Sequence, residues 1–221
     1  MTDRSGGPGE ASAATAPVLR VRMLECERGD RRLFAPIDMT VRAGDIVWVR
    51  GANGRGKTTL LRTLAGLAAP VAGEIVWARA AKGAARPLYL AHANALKDDL
   101  TVAESLRFLL VLQGDGASPE RIDAALVRLG LADRRDAFVR TLSQGQRRRV
   151  ALARLAALPD TRPWLLDEPY DALDAAGVAG LDDLLVEHAR RGGCIVLASH
   201  LPLAIADPRP GHVELREPVR G

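Results

Sequence analysis

Gly51-Ala52-Asn53-Gly54-Arg55-Gly56-Lys57-Thr58 fits the pattern G-x-x-x-x-G-K-[ST], with a second threonine at Thr59. Glycines at these places let a loop wrap until successive backbone N–H groups converge on phosphate oxygens. Lys57 is placed to reach β- and γ-phosphates, and the Thr58 hydroxyl to ligate Mg2+. The flanks supply the context this reading needs. Asp45–Arg50 (DIVWVR) reads as an apolar strand entering the loop, and Leu60, Leu61, Leu64 and Leu67 have helical spacing behind it. That helix would aim its partly positive N-terminus at the same anion and stop between Gly66 and Pro70. The stretch predicts a nucleoside triphosphate site.

A second half of such a site is expected near Trp164-Leu165-Leu166-Asp167-Glu168, an apolar strand ending in two acids. Side chains alternate along a strand, so the two carboxylates need not share a role. Asp167 suits a direct or indirect Mg2+ ligand beside Thr58, and Glu168 suits polarising the water that attacks the γ-phosphate. Upstream, Leu142-Ser143-Gln144-Gly145-Gln146 opens a helix that Ser143 can cap, with Gly145 leaving room for a phosphate.

Around these motifs the chain alternates strands and helices. Residues 18–50 (VLRVRML, PIDMTV, DIVWVR) read as antiparallel strands parted by turns at Arg28-Gly29-Asp30 and Ala43-Gly44-Asp45. EIVWA (74–78), PLYLA (87–91), WLLD (164–167), CIVLAS (194–199) and HVELR (212–216) read as further strands. Three helices are predicted between about 97 and 160, with starts at Thr101 (a capping box with Glu104), Ser118 and Ser143, and another near 175–190. The expected architecture is one α/β domain over 18–217 with an inserted helical subdomain, preceded by a disordered polar arm at 1–17.

Composition narrows the setting. The chain has 221 residues, enough to bury a core without disulfides, and only Cys26 and Cys194. It contains neither a long apolar run nor a signal-peptide pattern, so the expectation is a soluble protein of a reducing compartment. The charge is +4, and 28 of 31 cations are arginine; only Lys57, Lys82 and Lys97 are lysines. Beside so much alanine and glycine, this reads first as coding bias. Affinity for nucleic acid or an anionic membrane face are the pointed alternatives.

The order GANGRGKTT, LSQGQRRRVALAR, WLLDEP, ALD and a lone His200 after CIVLAS resembles the ATP-binding cassette ATPases over about residues 18–216. The resemblance implies a P-loop core with an antiparallel β subdomain and a helical subdomain, and ATP hydrolysis with Mg2+. It implies a homodimer in which Ser143, Gly145 and Gln146 of one chain close head-to-tail on ATP held by the other. Asp174 would lie at that contact, and His200 would touch the γ-phosphate and hold Glu168 in register. Membrane-spanning subunits would be the working partners.

Three positions depart from the general cassette pattern. Arg28 stands where an aromatic residue stacks on adenine, though a guanidinium plane can stack too. His92 replaces the glutamine that binds Mg2+ and senses the membrane partner, and Gln144 replaces the first signature glycine. With Cys26-Glu27-Arg28, Leu33-Phe34 and YLAHANALKDDLTVAESLRF, these departures resemble the haem-exporting subgroup that serves cytochrome c biogenesis. That implies a peripheral subunit on the cytoplasmic face of the bacterial inner membrane. The scattered histidines 92, 188, 200 and 212, without a C-x-x-C-H, suggest no haem site in this chain. Competing readings are a cassette for another small solute or lipid, a soluble ATPase acting on nucleic acid or ribosomes, and a cassette that binds ATP without hydrolysing it. The last is disfavoured by the presence of both Glu168 and His200.

Overall fold

The structure, a computed structural model, describes residues 16–78, 87–116, 118–158 and 160–218. The polar arm expected at 1–17 falls outside this set up to residue 15, while Pro17 already belongs to a strand.

Two sheets organise the chain. β1 (Pro17–Glu25) pairs antiparallel with β4 (Ile37–Arg42) on one side and β6 (Ala72–Trp77) on the other. β4 shows why it faces a core on one side: Ile37, Met39 and Val41 are buried and the residues between them are exposed. A small hairpin, β2 (Glu27–Arg28) with β3 (Arg31–Arg32), turns at Gly29, whose φ is 59°.

The second sheet is parallel, in the order β10 (Gly211–Glu214), β5 (Ile46–Arg50), β9 (Ile195–Ala198), β8 (Trp164–Asp167), β7 (Leu88–Leu90). One expectation is corrected here. DIVWVR is not a third antiparallel strand, because β5 pairs parallel with both β9 and β10. Its side chains explain the choice, with Ile46 packed to one core and Val47 and Val49 to the other, as a strand covered on both faces requires.

Period-two alternation divides the interior. Trp164, Leu166, Ile195 and Leu197 face the helical side, while Leu165, Val196 and Ala198 face α1 (Lys57–Leu64) and the antiparallel sheet. The helical insert comprises α2 (Val102–Leu112), α3 (Pro119–Arg128) and α4 (Gln144–Ala157). Its Leu106, Leu126 and Leu152 share one buried cluster with the parallel sheet and with α5 (Ala175–Arg190). All three predicted helix starts are capped by the expected residues. Thr101 and Ser143 form complete capping boxes with Glu104 and Gln146, and Ser118 accepts from the Arg121 N–H ahead of Pro119. Each such cap contributes about 1 kcal/mol.

Candidate nucleotide-hydrolysing site

The parallel strands β5 and β8 flank β9, and the loops beyond their C-terminal ends form an open cleft of about 230 Å3. The cleft is lined by Asn53–Thr59 from the loop after β5, Arg28 and Leu33 from the hairpin region, and His92, Glu168 and His200. Residues separated by more than a hundred positions in sequence thus meet over one helix N-terminus.

The loop's geometry follows from its glycines. Gly56 precedes α1 with φ 99°, and a Cβ there would lie 2.8 Å from the Leu33 Cβ. A side chain is therefore excluded by conformation and by space. Lys57 is buried, and its Nζ donates to the Gly51 carbonyl at 2.9 Å, so the ammonium spans the loop from within. Arg55 pairs with Glu217, tying the loop to the segment after β10.

Asp167 and Glu168 differ as strand alternation predicts. Asp167 has the parity of Leu165, on the α1 side; it is 1% exposed, and both its oxygens lack a hydrogen-bond partner among the described residues. Burial pushes its carboxyl up, while the Thr58 hydroxyl and the nearby His92, Arg148 and Lys57 pull it down. A buried carboxylate with no partner, beside a threonine hydroxyl, fits a divalent cation held by hard oxygen ligands.

Glu168 is fully engaged. Its Oε2 accepts the His200 backbone N–H at 2.9 Å, and its Oε1 lies 3.1 Å from His200 Nε2. Its φ is 47°, a left-handed conformation rare outside glycine. That turn departs from the extended strand and throws the carboxylate toward the cleft. His200 keeps an exposed side chain, so one residue both clamps the acid and presents a ring to the opening.

His92 lies on the cleft wall with Nδ1 3.2 Å from Asp171 Oδ2. In the neutral ring this gives the proton to Nδ1 and leaves Nε2 as an acceptor or ligand. Arg28 stands on the same wall.

The residues that open α4 are elsewhere. Ser143, Gly145 and Gln146 do not line the cleft. Ser143 and Gln146 satisfy each other's backbone groups at 3.2 Å and 3.0 Å. Gly145 has an intrachain reason to lack a side chain that phosphate access alone did not suggest: a Cβ would lie 2.8 Å from the Ala172 carbonyl oxygen. Asp174 also has local work, capping α5 through the Gly177 N–H at 2.9 Å and pairing with Arg149. Those two contacts, the backbone bond first, hold its carboxyl below the usual range. One buried residue at this junction was not singled out in the sequence: Arg148, flanked by two other arginines.

Comparison with known proteins agrees with this geometry. The ABC transporter family profile matches residues 34–171. The cytochrome c biogenesis ATP-binding export protein CcmA of Cupriavidus pinatubonensis is 45% identical over 206 residues, covering 90% of this chain and 91% of that protein. Its counterpart of the same name in Aromatoleum aromaticum is 46% identical, covering 92% and 97%. Among solved structures, a putative ABC transporter ATP-binding protein from Pyrococcus furiosus superposes with a TM-score of 0.76 at 27% identity, covering 89% of this chain and 96% of that one. With its phosphate-binding loop, paired acids and helical insert in the family's order, this chain belongs to the ABC transporter ATP-binding proteins, in the group of the cytochrome c biogenesis ATP-binding export proteins.

Proposed function

We propose that this chain hydrolyses ATP as the energy-supplying subunit of a membrane transporter for cytochrome c maturation, with haem delivery as the work done. The observation that carries the hydrolytic part is the contrast between Asp167, buried behind the cleft lining with no hydrogen-bond partner among the described residues, and Glu168, which lines the cleft and is clamped by His200. The loop N–H groups and Lys57 bind the β- and γ-phosphates. Thr58 and Asp167 would hold Mg2+, with His92 a weaker candidate, and the ion would neutralise charge on the phosphates. Glu168 polarises the attacking water, and His200 keeps the carboxylate aimed. Arg28 offers a guanidinium plane to the base.

The start of α4 lies outside the cleft of its own chain, which supports a head-to-tail pair in which Ser143 and Gly145 complete the partner's site. ATP moves such a machine only by binding the closed pair better than the open one. Among the described residues no helix is long and apolar enough to cross a membrane, so the passage would come from separate membrane-spanning subunits, with this chain peripheral on the cytoplasmic face of the inner membrane. The names of the relatives favour cytochrome c biogenesis over another solute or lipid, and over a role on nucleic acid or ribosomes. The test is a deletion strain scored for c-type cytochromes. Complementation by the parent chain and not by Glu168→Gln is expected; normal cytochromes in the deletion strain would contradict the assignment.

A further inference from the structure

Six hydrogen bonds converge on one side chain behind the cleft. Arg148, on the first turns of α4, is 2% exposed. Its Nε donates to the Pro169 carbonyl at 3.2 Å, and its Nη2 to the carbonyls of Asp167 at 3.0 Å and Glu168 at 2.6 Å. Its Nη1 donates to the carbonyls of Ala91 at 3.1 Å and His92 at 3.3 Å, and to Asn94 Oδ1 at 3.0 Å. Every acceptor is a neutral oxygen. The cation is thus solvated by an array of peptide dipoles; burial pulls its pKa below the ordinary arginine value, while Asp171, Asp167 and Glu168 favour the charge.

The acceptors are not scattered. They belong to two segments, the exit of β8 that carries both acids and the loop after β7 that carries His92. A third element, α4, supplies the guanidinium, and α4 begins with Ser143 and Gly145. Glu168 needs such support, since a non-glycine residue at φ 47° is strained and persists only where its surroundings hold it. Its N–H is fixed by the Ala198 carbonyl, its carboxylate by His200 and its own carbonyl by Arg148.

We infer that Arg148 is a positioning residue for hydrolysis, fixing the Glu168 peptide and the His92 loop to the signature-bearing helix so that a displacement of α4 carries both. The inference rests on the reading of Glu168 as the water-polarising group. It also states why the residue is arginine: a planar fork addresses two segments at once, and a lysine ammonium at the same place reaches only one.

The test is Arg148→Lys in the full chain, with steady-state ATP hydrolysis and equilibrium ATP binding measured on the same preparation and turnover expressed per ATP-binding site. Misplacing a reacting group by an ångström costs up to about a hundred-fold in rate. The expected result is a fall in kcat of at least about ten-fold, with the ATP Kd changed by less than about three-fold. A merely structural role would lower yield or Tm and leave turnover per binding site intact, so a kcat within about two-fold of the parent overturns the inference. If Arg148→Lys does not fold, Asn94→Ala decides, since it removes one acceptor from the Nη1 arm. A kcat reduced about three-fold at retained ATP affinity supports the inference, and an unchanged kcat overturns it. Glu168→Gln in the same assay separates the two readings. Normal turnover there overturns both, whereas an inactive Glu168→Gln beside a fully active Arg148→Lys removes the Arg148 inference alone.

Discussion

The cleft over Lys57 and the start of α4 each present an N-terminal helix turn, a glycine and a hydroxyl residue, yet they are differently finished. At the cleft, groups from the β5, β7, β8 and β9 loops converge and one carboxylate, Glu168, is clamped, while its neighbour Asp167 is buried without a hydrogen-bond partner among the described residues. At α4, Ser143 and Gln146 satisfy each other's backbone groups and Gly145 packs against Ala172, and none of the three lines the cleft. One region is an open cleft with converging polar groups; the other is a capped, exposed helix end. The contrast is what the proposed head-to-tail pair would require, with the start of α4 completing the cleft of another copy.

The cleft is where a single substitution should cost most. Glu168→Gln is expected to lose about 10²- to 10⁴-fold in turnover while keeping ATP binding, measured by phosphate release beside equilibrium ATP titration. Loss of binding together with turnover would move Glu168 from chemistry to architecture.

Next in size is a pH effect that belongs to neither region. His188 is fully buried, stacked on Trp164 with centroids 3.6 Å apart, and its Nε2 donates to the Arg162 carbonyl at 3.0 Å. Burial pulls its pKa down to about 4 from an ordinary 6.5. Above pH 6.5 both folded and unfolded states are neutral there and stability is unaffected. Between 6.5 and about 4 the unfolded chain takes up a proton that the folded chain refuses, so stability falls with pH by up to about 3 kcal/mol. Urea unfolding across that window should show this slope, and His188→Phe should flatten it. An unchanged slope in that variant would assign the acid sensitivity to another group.

Two smaller changes probe the helix end. Gly145→Ala forces a Cβ against the Ala172 carbonyl, with an expected cost of about 1–3 kcal/mol in chemical unfolding. No loss of stability would show that this contact yields easily and that the glycine is there for the partner's nucleotide. Ser143→Ala removes a cap and should cost about 1 kcal/mol, with ATP binding to the isolated chain unaltered.

Much of this was legible in the sequence because its signals are local. The phosphate-binding loop lies between a strand and a helix as predicted, and Thr101, Ser118 and Ser143 cap their helices because each motif closes within four residues. The direction of β5 was not legible. Alternation tells a strand from a helix but does not name its neighbour, and β9 and β10 arrive about 150 residues later. Arg148 was hidden between Arg147 and Arg149, residues of the same type that pair outward with Asp98 and Asp174. Helical spacing was the available clue, since Arg148 shares a face with buried Ala151, Leu152 and Leu155.

If each active site takes its second half from another copy, mixing two inactive chains should restore activity. Lys57→Ala disables the cleft and leaves α4 intact. Ser143→Asp keeps the helix cap and sets a negative charge where the partner's phosphates would lie. Each variant alone should hydrolyse almost no ATP. Mixed in equal amounts and allowed to exchange, half the pairs carry one intact composite site, and about a quarter of the parental activity should return. No recovery on mixing chains shown to exchange, or full activity of Ser143→Asp by itself, would mean that each chain carries a complete site.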